Sequence, residues 1–348
     1  MYKIAFTGGG SAGHVIPNVA LIDELLKTGE AELCYFGSGG IEKSIIAPKK
    51  IPYFEFDPPK LKRSFKAIKD NLKIPFNFYK ATKKAEEGLK TFSPDVVFSK
   101  GGFVALPVVF AAHKLRIPCI AHESDFSLGL ANRLSARKCA VLLTSFPETA
   151  KKLRNGKFSG PPIRAELFCH SRSAAKRELC EGTNRKVILV FGGGSGSEVL
   201  NEAIRKIAPK LAERYFILHV CGKKKTIDCR VKNYKQMEFI EDMGAAYACA
   251  DLVLSRSGAG TVFEILALKK PSILVPLEGQ TRGDQVENAE YFQAKKVCRV
   301  LRQADLVSLL GEIEEALVDE KLKHSLATFS YPLGNENILH EIRQAVKR

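Results

Sequence analysis

The stretches "MYKIAFTGGGSAGHVIPNVALIDEL" (residues 1–25) and "RKVILVFGGGSGSEVLNEAI" (residues 185–204) share one construction: a short apolar run, a glycine-rich turn and an amphipathic segment. Elsewhere along the chain, short apolar runs alternate with helical periodicity, which indicates βαβ units and parallel sheets. We therefore predict an α/β fold of two doubly wound, Rossmann-like domains, each opened by its own glycine turn. Ligands are expected in a cleft between the carboxyl ends of the two sheets.

The chain length and an interruption of the pattern by glycine and proline predict the domain boundaries. A chain of 348 residues favours two domains. The pattern pauses at "GPPIRAEL" (160–167), so we predict a first domain over 1–164 and a second over 165–332. Ile338, Ile342 and Val346 follow helical spacing and predict an amphipathic closing helix within 333–348 that returns to the first domain.

Net charge and cysteine content indicate which partners and which cellular compartment to expect. The formal net charge of +16 indicates an acidic partner, such as nucleic acid, an anionic lipid surface or a phosphorylated ligand. Nine cysteines without any C-x-x-C pair predict free thiols in a reducing compartment. We see no signal peptide and no apolar run near the ~20 residues that cross a bilayer, so a cytosolic location is expected.

The first glycine turn has the spacing of a dinucleotide site but not its acid. Gly8, Gly10 and Gly13 form G-x-G-x-x-G, yet the second strand, "ELCYFGSGG", ends without the carboxylate that holds a ribose; Glu42 lies beyond it, in the next predicted helix. This argues against a dehydrogenase. Both glycine turns still predict anion cradles at helix N-termini. His14, expected at the start of the first helix, is either a neutral base or a capping and packing residue.

A second cluster of polar residues follows the strand in "DLVLSRSGAGTVFEI" (251–265). Ser257, Gly258 and Ala259 would let a phosphate approach a helix predicted to begin near Thr261. Glu264, in the first turn of that helix, would complement its dipole or bind a ribose diol. Further along, three residues would cap a helix or contact sugar hydroxyls: Asp284, Gln285 and Asn288.

The chain has no D-x-D, H-E-x-x-H or P-loop motif. We therefore expect no metal and no cofactor in the site. Helix ends and backbone amides would stabilise a diphosphate instead.

Seven motifs in register carry a family resemblance: "GGGSAGHVIPNVAL", "KGGFVALPVV", "AHESDFSLGLANRLSA", "SGPPIR", "FGGGSGSEVLN", "FIEDMGAAYACADLVLSRSGAGTVFEI" and "GDQVENA". Together they resemble the MurG family, UDP-N-acetylglucosamine transferases that act on undecaprenyl-diphospho-muramoyl-pentapeptide. The resemblance implies the two-lobed GT-B fold, inversion at the anomeric carbon without a catalytic metal, and synthesis of the lipid-linked disaccharide precursor of peptidoglycan. It makes the first domain the acceptor side and the second the UDP-sugar donor side.

The resemblance also implies roles for individual residues. It assigns donor and acceptor contacts to the first turn, a uracil contact to the backbone of Ile240, nucleotide and ribose contacts to 259–264, and N-acetylglucosamine hydroxyls to Gln285. The full set of implied binding residues is Ser11, Ala12, Gly13, Asp125, Arg164, Gly194, Ser195, Ile240, Ser257, Gly258, Ala259, Gly260, Thr261, Val262, Glu264, Asp284 and Gln285. "HESD" replaces the commoner "HEQN", and an ionised Asp125 cannot donate the hydrogen bond of an asparagine.

Inversion requires a base to take the proton of the acceptor 4-hydroxyl while UDP leaves. Three residues of the first domain are candidates: His14, Glu123 and Asp125. We prefer His14, because its turn lies in the lobe opposite the donor. The sequence does not separate it from the two carboxylates.

Residues 60–84, "KLKRSFKAIKDNLKIPFNFYKATKK", hold nine Lys/Arg and one acid, with apolar residues interleaved. This pattern predicts contact with an anionic membrane surface or, alternatively, a solvated helix face over an ordinary core. The enzyme would then be peripheral on the cytoplasmic face of the bacterial membrane. No nucleic-acid module is present, so nucleic acid is not expected as a partner. Transfer to another lipid acceptor, a UDP-sugar epimerase and a silent UDP-sugar-binding protein remain alternatives.

Overall fold

The computed structural model describes residues 1–60, 71–279 and 282–347. The chain folds into two compact units. The first comprises residues 1–164 and 332–348, and the second comprises residues 165–331. Pro332, which the sequence prediction left in the second domain, belongs to the first unit.

The first unit contains a sheet of seven strands in the order β3-β2-β1-β4-β5-β6-β7, all paired in parallel. Ile4 and Phe6 of β1 point to one face, while Ala5 packs with the opposite face. Such a sheet needs helices on both faces. The strands are β1 Tyr2–Thr7, β2 Ala31–Gly37, β3 Tyr53–Glu55, β4 Val96–Ser99, β5 Cys119–Glu123, β6 Val141–Thr144 and β7 Gly156–Phe158. The α-helices are Ile16–Thr28, Ile41–Ile46, Ile74–Phe92, Gly102–Lys114, Leu130–Ser135, Pro147–Lys151 and Asn335–Val346.

The second unit repeats this design with six parallel strands in the order β10-β9-β8-β11-β12-β13. Its strands are β8 Val187–Phe191, β9 Phe216–Val220, β10 Tyr234–Met237, β11 Leu252–Ser255, β12 Ser272–Leu274 and β13 Arg299–Val300. Its α-helices are Arg172–Leu179, Glu198–Leu211, Met243–Cys249, Ala259–Ala267, Asp284–Ala294, Leu309–Val318 and Glu320–Thr328. The α/β prediction is confirmed.

The strand order of each sheet determines where a ligand is expected to bind. In the first sheet the order reverses between β1 and β4, and in the second between β8 and β11. In open parallel sheets, ligands bind at such reversal points, outside the carboxyl ends of the strands. Each glycine turn follows a strand at a reversal point.

One predicted strand is displaced. The apolar run "MEFI" (237–240) predicts a strand, but β10 ends at Met237 and residues 238–240 lie in the loop beyond it. Pairing sets this end, because Tyr234–Met237 align with Ile217–Val220 of β9. The short strands β3, β7 and β13 carry no clear pattern and were not predicted.

The closing helix Asn335–Val346 docks on the first unit, as predicted. Ile338, Leu339 and Ile342 are at most 1% exposed and belong to the core cluster that holds Ile4. Asn335 fixes the start of the helix: its side chain accepts from Ile163 N at 2.8 Å and donates to Ile163 O at 3.0 Å.

Truncating this contact tests the docking. Ile338→Ala should lower the free energy of unfolding of the first unit by about 2–5 kcal/mol, because it removes buried methyl groups and leaves a cavity. Chemical denaturation followed by circular dichroism measures the loss. The control is Leu333→Ala, which truncates a side chain that is 48% exposed in the same segment and should cost far less. Equal losses in both variants would contradict the docking.

Candidate functional site

The first glycine turn connects β1 to the helix Ile16–Thr28 through a 3-10 turn, Ala12–His14. His14 therefore precedes the helix instead of opening it, which corrects the sequence prediction. Its ring is half-buried, and Nδ1 lies 2.9 Å from Ser11 Oγ. Gly102, with φ +79°, packs against the ring: a Cβ there would lie 3.0 Å from Nδ1. The imidazole is thus held from two sides.

The residues before His14 are accessible. Ser11 and Gly13 are exposed and Ala12 is half-exposed. These are the three residues to which the resemblance assigns donor and acceptor contacts.

The first turn is not the empty anion cradle that the sequence predicts. Glu42, fully buried in the helix Ile41–Ile46, accepts a hydrogen bond from Gly10 N at 3.2 Å. It also accepts from Ser38 N at 3.0 Å and from Ser38 Oγ. A carboxylate of the protein itself thus occupies the position of a bound anion on one side of the turn.

Glu123 ends β5, and its carboxylate is bonded to the loop that follows and to the helix Leu130–Ser135. Its carboxylate accepts from Asp125 N at 3.1 Å, from Gly129 N at 2.8 Å and from Asn132 Nδ2 at 3.0 Å. It is 6% exposed, while Asp125 is half-buried. These hydrogen bonds indicate that Glu123 fixes the conformation of the loop at residues 124–129.

Lys100, which follows β4, is 2% exposed. Burial lowers the pKa of its ammonium group, and the carboxylates of Glu123 and Asp125 partly offset that effect. His122 is fully buried, so burial holds its pKa well below the usual range, with Lys100 adding to the shift. His122 is therefore neutral at pH 7 and is a structural residue of β5.

The second glycine turn, after β8, is open at its tip. A Cβ on Gly193 or Gly194 would meet no atom within 4 Å, and Ser195 is exposed. Ser197 caps the next helix, accepting from Leu200 N. Gly196, with φ +68°, packs on the carbonyl of Cys221, where a side chain would clash.

Arg256 links the loops at this edge of the second sheet, and sequence reasoning did not select it. Its guanidinium group donates to Ser197 Oγ at 2.8 Å, to Val275 O and Pro276 O at 3.1 Å each, and to Gln303 Oε1 at 2.8 Å. Burial lowers its pKa, partly offset by Glu278. The sequence feature that could have identified Arg256 is its position between a buried strand and a run of small residues.

The loop after β11 leads directly into the helix Ala259–Ala267, two residues earlier than predicted. Gly258 is its N-cap without a side-chain hydrogen bond, and a Cβ on Gly258 or Gly260 would meet nothing within 4 Å. Ala259 and Val262 are buried, and Thr261 is half-buried. The N-terminus of this helix has the backbone donors and the space that a phosphate needs.

Glu264 consequently lies in the second turn of the helix, not the first, so dipole complementation does not explain it. The hydroxyl of buried Tyr247 donates to Glu264 Oε2 at 3.1 Å. Tyr247 packs edge-on against Phe191 with ring centroids 6.0 Å apart. A half-exposed carboxylate oriented in this way can accept hydrogen bonds from a diol.

The helix Asp284–Ala294 is tied to the same loop. Its N-cap is Gly283, so the predicted capping role of Asp284, Gln285 and Asn288 is wrong. Ser257 Oγ donates to Gln285 O at 2.8 Å, and Gln285 Oε1 accepts from Leu277 N at 3.0 Å. Asn288 Nδ2 contacts Ser257 O at 3.3 Å, and Asp284 lies 3.6 Å from Arg282.

The remaining implied contacts are Ile240 and Arg164. Ile240 is 5% exposed in the loop after β10, next to Phe239, which is 64% exposed. Arg164 is half-buried and is the last residue of the first unit before the chain enters the second. The donor residues predicted within 194–285 thus lie at or just beyond carboxyl ends of strands of the second sheet, whereas Ser11–His14, Glu123 and Asp125 do so in the first.

The basic segment 60–84 is described only at Lys60 and from Asn71 onward, so its part at 61–70 lies outside the described residues. Leu72, just before the helix Ile74–Phe92, is 75% exposed, and Phe76 and Tyr79 within the helix are 60% exposed each. Lys80 Nζ lies 4.4 Å from the Phe76 ring centroid, and Lys83 Nζ lies 5.8 Å from that of Tyr79. The surface therefore interleaves exposed aromatic rings with cations.

Within residues 1–60, 71–279 and 282–347, no group of three or more His, Cys, Asp or Glu side chains is arranged to hold a metal ion. In the same part of the chain, no helix combines the length and the apolar character that a bilayer crossing requires.

Comparison with known proteins agrees with this architecture. Residues 4–144 match the N-terminal domain of glycosyltransferase family 28, and residues 187–341 match its C-terminal domain. The crystal structure of Acinetobacter baumannii MurG superimposes with a TM-score of 0.73 at 24% identity, covering 99% of each chain. A UDP-GlcNAc 2-epimerase from Neisseria meningitidis superimposes with a TM-score of 0.68 at 16% identity over 99% of each chain. The fold is GT-B.

Sequence identity is more specific than the fold. The UDP-N-acetylglucosamine–N-acetylmuramyl-(pentapeptide) pyrophosphoryl-undecaprenol N-acetylglucosamine transferase of Clostridium perfringens (strain SM101 / Type A) is 41% identical over 355 residues, covering 99% of this chain and 98% of its own length. The chain therefore belongs to glycosyltransferase family 28 and, within it, to the MurG family.

Proposed function

We propose that this chain transfers N-acetylglucosamine from UDP-GlcNAc to the 4-hydroxyl of the muramoyl sugar of undecaprenyl-diphospho-muramoyl-pentapeptide, inverting the anomeric centre. The product is the lipid-linked disaccharide precursor of peptidoglycan. The observation that carries the proposal is the 41% identity, over nearly the whole of both chains, to a relative named for this reaction. The geometry of the second unit supports it.

The second unit offers the donor site. The backbone amides at the start of the helix Ala259–Ala267 would bind the diphosphate, since Gly258 and Gly260 leave the approach open. Glu264, oriented by Tyr247, would accept hydrogen bonds from the ribose hydroxyls. Gln285 would contact the N-acetylglucosamine. The same amides stabilise the charge on departing UDP, so the reaction needs no metal ion.

In the first unit, His14 is the base that we assign. For Nε2 to accept the proton of the 4-hydroxyl, Nδ1 must carry the ring hydrogen and donate it to Ser11 Oγ, 2.9 Å away. Glu123 is a poorer candidate, because Asp125 N, Gly129 N and Asn132 Nδ2 already donate hydrogen bonds to its carboxylate. Asp125 would orient the acceptor.

The reaction has to take place at a membrane, since its acceptor is lipid-linked. We assign membrane contact to the surface formed by Leu72, Phe76, Tyr79 and the adjacent lysines, on the cytoplasmic face of the bacterial membrane. Exposed rings would enter the interface, and each nearby cation would add about 1 kcal/mol on an anionic leaflet.

Three alternatives keep the donor site: transfer to another lipid, epimerisation of UDP-GlcNAc, and binding without turnover. The epimerase likeness is one of fold alone, at 16% identity. The transfer assay below separates all three from the proposed reaction.

The purified chain should incorporate radiolabelled N-acetylglucosamine into lipid-linked muramoyl-pentapeptide and release UDP in equal amount. EDTA should leave the rate unchanged, because backbone amides take the place of a cation. Undecaprenyl phosphate without the sugar is the control acceptor. Release of UDP-N-acetylmannosamine, labelling of a different lipid, or binding of UDP-GlcNAc without product would each contradict the proposal.

His14→Ala should lower kcat by about 100- to 10,000-fold, the usual loss when a general base is removed. The affinity for UDP-GlcNAc, measured by calorimetry, should change much less than kcat, because most of the implied donor contacts lie in the second unit. The matched control is His113→Ala, which removes an exposed histidine at the end of the helix Gly102–Lys114. A kcat for His14→Ala equal to that of the control would exclude His14 as the base.

The double variant Phe76→Ser, Tyr79→Ser should bind phosphatidylglycerol vesicles at least about tenfold more weakly than the unmodified chain. Each ring that enters the membrane interface contributes about 1.5–3 kcal/mol to binding. Co-sedimentation measures the binding, which should also fall as salt rises. The control is Phe168→Ser, an aromatic that is 48% exposed in the second unit. Unchanged sedimentation of the double variant would place membrane contact elsewhere.

A further inference from the structure

The side chain of Glu42 makes contacts that a solvent-facing or merely packing carboxylate does not need. It is fully buried, and both of its oxygens are used. Oε2 accepts from Gly10 N at 3.2 Å, and Oε1 accepts from Ser38 N at 3.0 Å and from Ser38 Oγ. The donors come from the loops after β1 and β2. One carboxylate therefore joins the first glycine turn to the neighbouring loop.

The glycines of both loops leave room for this carboxylate. A Cβ on Gly9 would lie 2.6 Å from Glu42 Cδ, and one on Gly40 would lie 3.2 Å from Oε2. A side chain at Gly9 would have to displace the carboxylate. This is the close approach of backbone to an anion for which glycine turns are used, with the anion supplied by the chain itself.

Neutral side chains form hydrogen bonds with the rest of the turn. Tyr35 Oη donates to Gly8 O at 2.8 Å, and Asn18 Nδ2 donates to Thr7 O and to Tyr35 Oη at 3.1 Å each. The backbone from Thr7 to Gly10 thus has three side-chain anchors. Glu42 is the last of them before Ser11 and His14.

We propose that Glu42 is a positioning residue for the transfer reaction: as a resident anion of the first glycine turn, it fixes the Gly10 amide and through it the placement of Ser11 and His14. The proposal rests on the function proposed above, in which His14 is the base. Glu42 does not touch the substrate. Its effect on the rate passes through the backbone of the turn.

The test is Glu42→Gln in the full-length chain. A carboxamide has one oxygen, so its NH₂ group must face either Gly10 N or Ser38 N, and one of these hydrogen bonds is lost. We expect kcat to fall about 100-fold, the effect of a displacement of roughly 1 Å in a catalytic group. The calorimetric affinity for UDP-GlcNAc should fall much less than kcat, and the Gly10 amide, followed by NMR with ¹⁵N-glycine labelling, should exchange faster with solvent.

Glu32→Gln is the matched control, since Glu32 is exposed on β2 and pairs with Lys3 at 3.2 Å. It should leave kcat and Gly10 exchange unchanged. Gly9→Ala is a second route to the same effect if Glu42→Gln does not fold, because its Cβ pushes the carboxylate away without straining the backbone. Its own control is Gly311→Ala, where a Cβ meets no atom within 4 Å.

Unchanged Gly10 exchange with unchanged kcat would overturn the proposal. So would a loss of donor affinity equal to the loss of kcat, because the variant would then act on donor binding and not on the placement of His14. If the unmodified chain transferred no sugar, the proposed function would fail, while the exchange of the Gly10 amide would still decide whether Glu42 holds the turn.

Discussion

Each of the two glycine turns is held by one buried charged side chain, and the placement of the candidate site depends on these two anchors. In the first unit, Glu42 accepts from Gly10 N and from Ser38. In the second, Arg256 donates to Ser197, which caps the helix after the turn, and to the carbonyls of Val275 and Pro276. A buried charge is costly unless hydrogen bonds satisfy it, and a buried polar group left without its partner costs about 1–3 kcal/mol. The loops are therefore far more constrained than their glycine content suggests.

The two anchors have opposite charge, so the two turns differ in whether they have space for an external anion. The anion of the first turn is internal, so the turn serves as a rigid support for Ser11 and His14. The second turn is held by a cation beneath it, and its tip, like the start of the helix Ala259–Ala267, has open space around the glycines. The sequence motif is nearly the same in both places, but the Gly10 amide of the first turn is bonded to Glu42, whereas a Cβ on Gly193, Gly194, Gly258 or Gly260 of the second unit would meet no atom within 4 Å. This asymmetry supports the assignment of the nucleotide sugar to the second unit.

In the loop after β11 and the helices around it, hydrogen bonds that the sequence did not predict link the polar residues to one another. Ser257 and Gln285, both predicted to bind ligand, also bond to each other, and Gln285 holds the amide of Leu277. Glu264, predicted in the first turn of its helix, lies in the second and is oriented by Tyr247. In each case a residue chosen for contact with ligand is itself held in place by the protein, as a pre-organised site requires.

The sequence alone determined the α/β class, the two glycine turns, the boundary at Arg164 and the return of the closing helix, because periodicity and glycine spacing are local properties of the chain. It also determined the family, since seven motifs in register are specific. Only the tertiary structure decided which turn is open to an anion, where the helix at Ala259 begins, and that Glu42 and Arg256 are the anchors. Those facts depend on hydrogen bonds between residues far apart in the chain, such as Gly10 with Glu42 and Ser197 with Arg256, which no local pattern records.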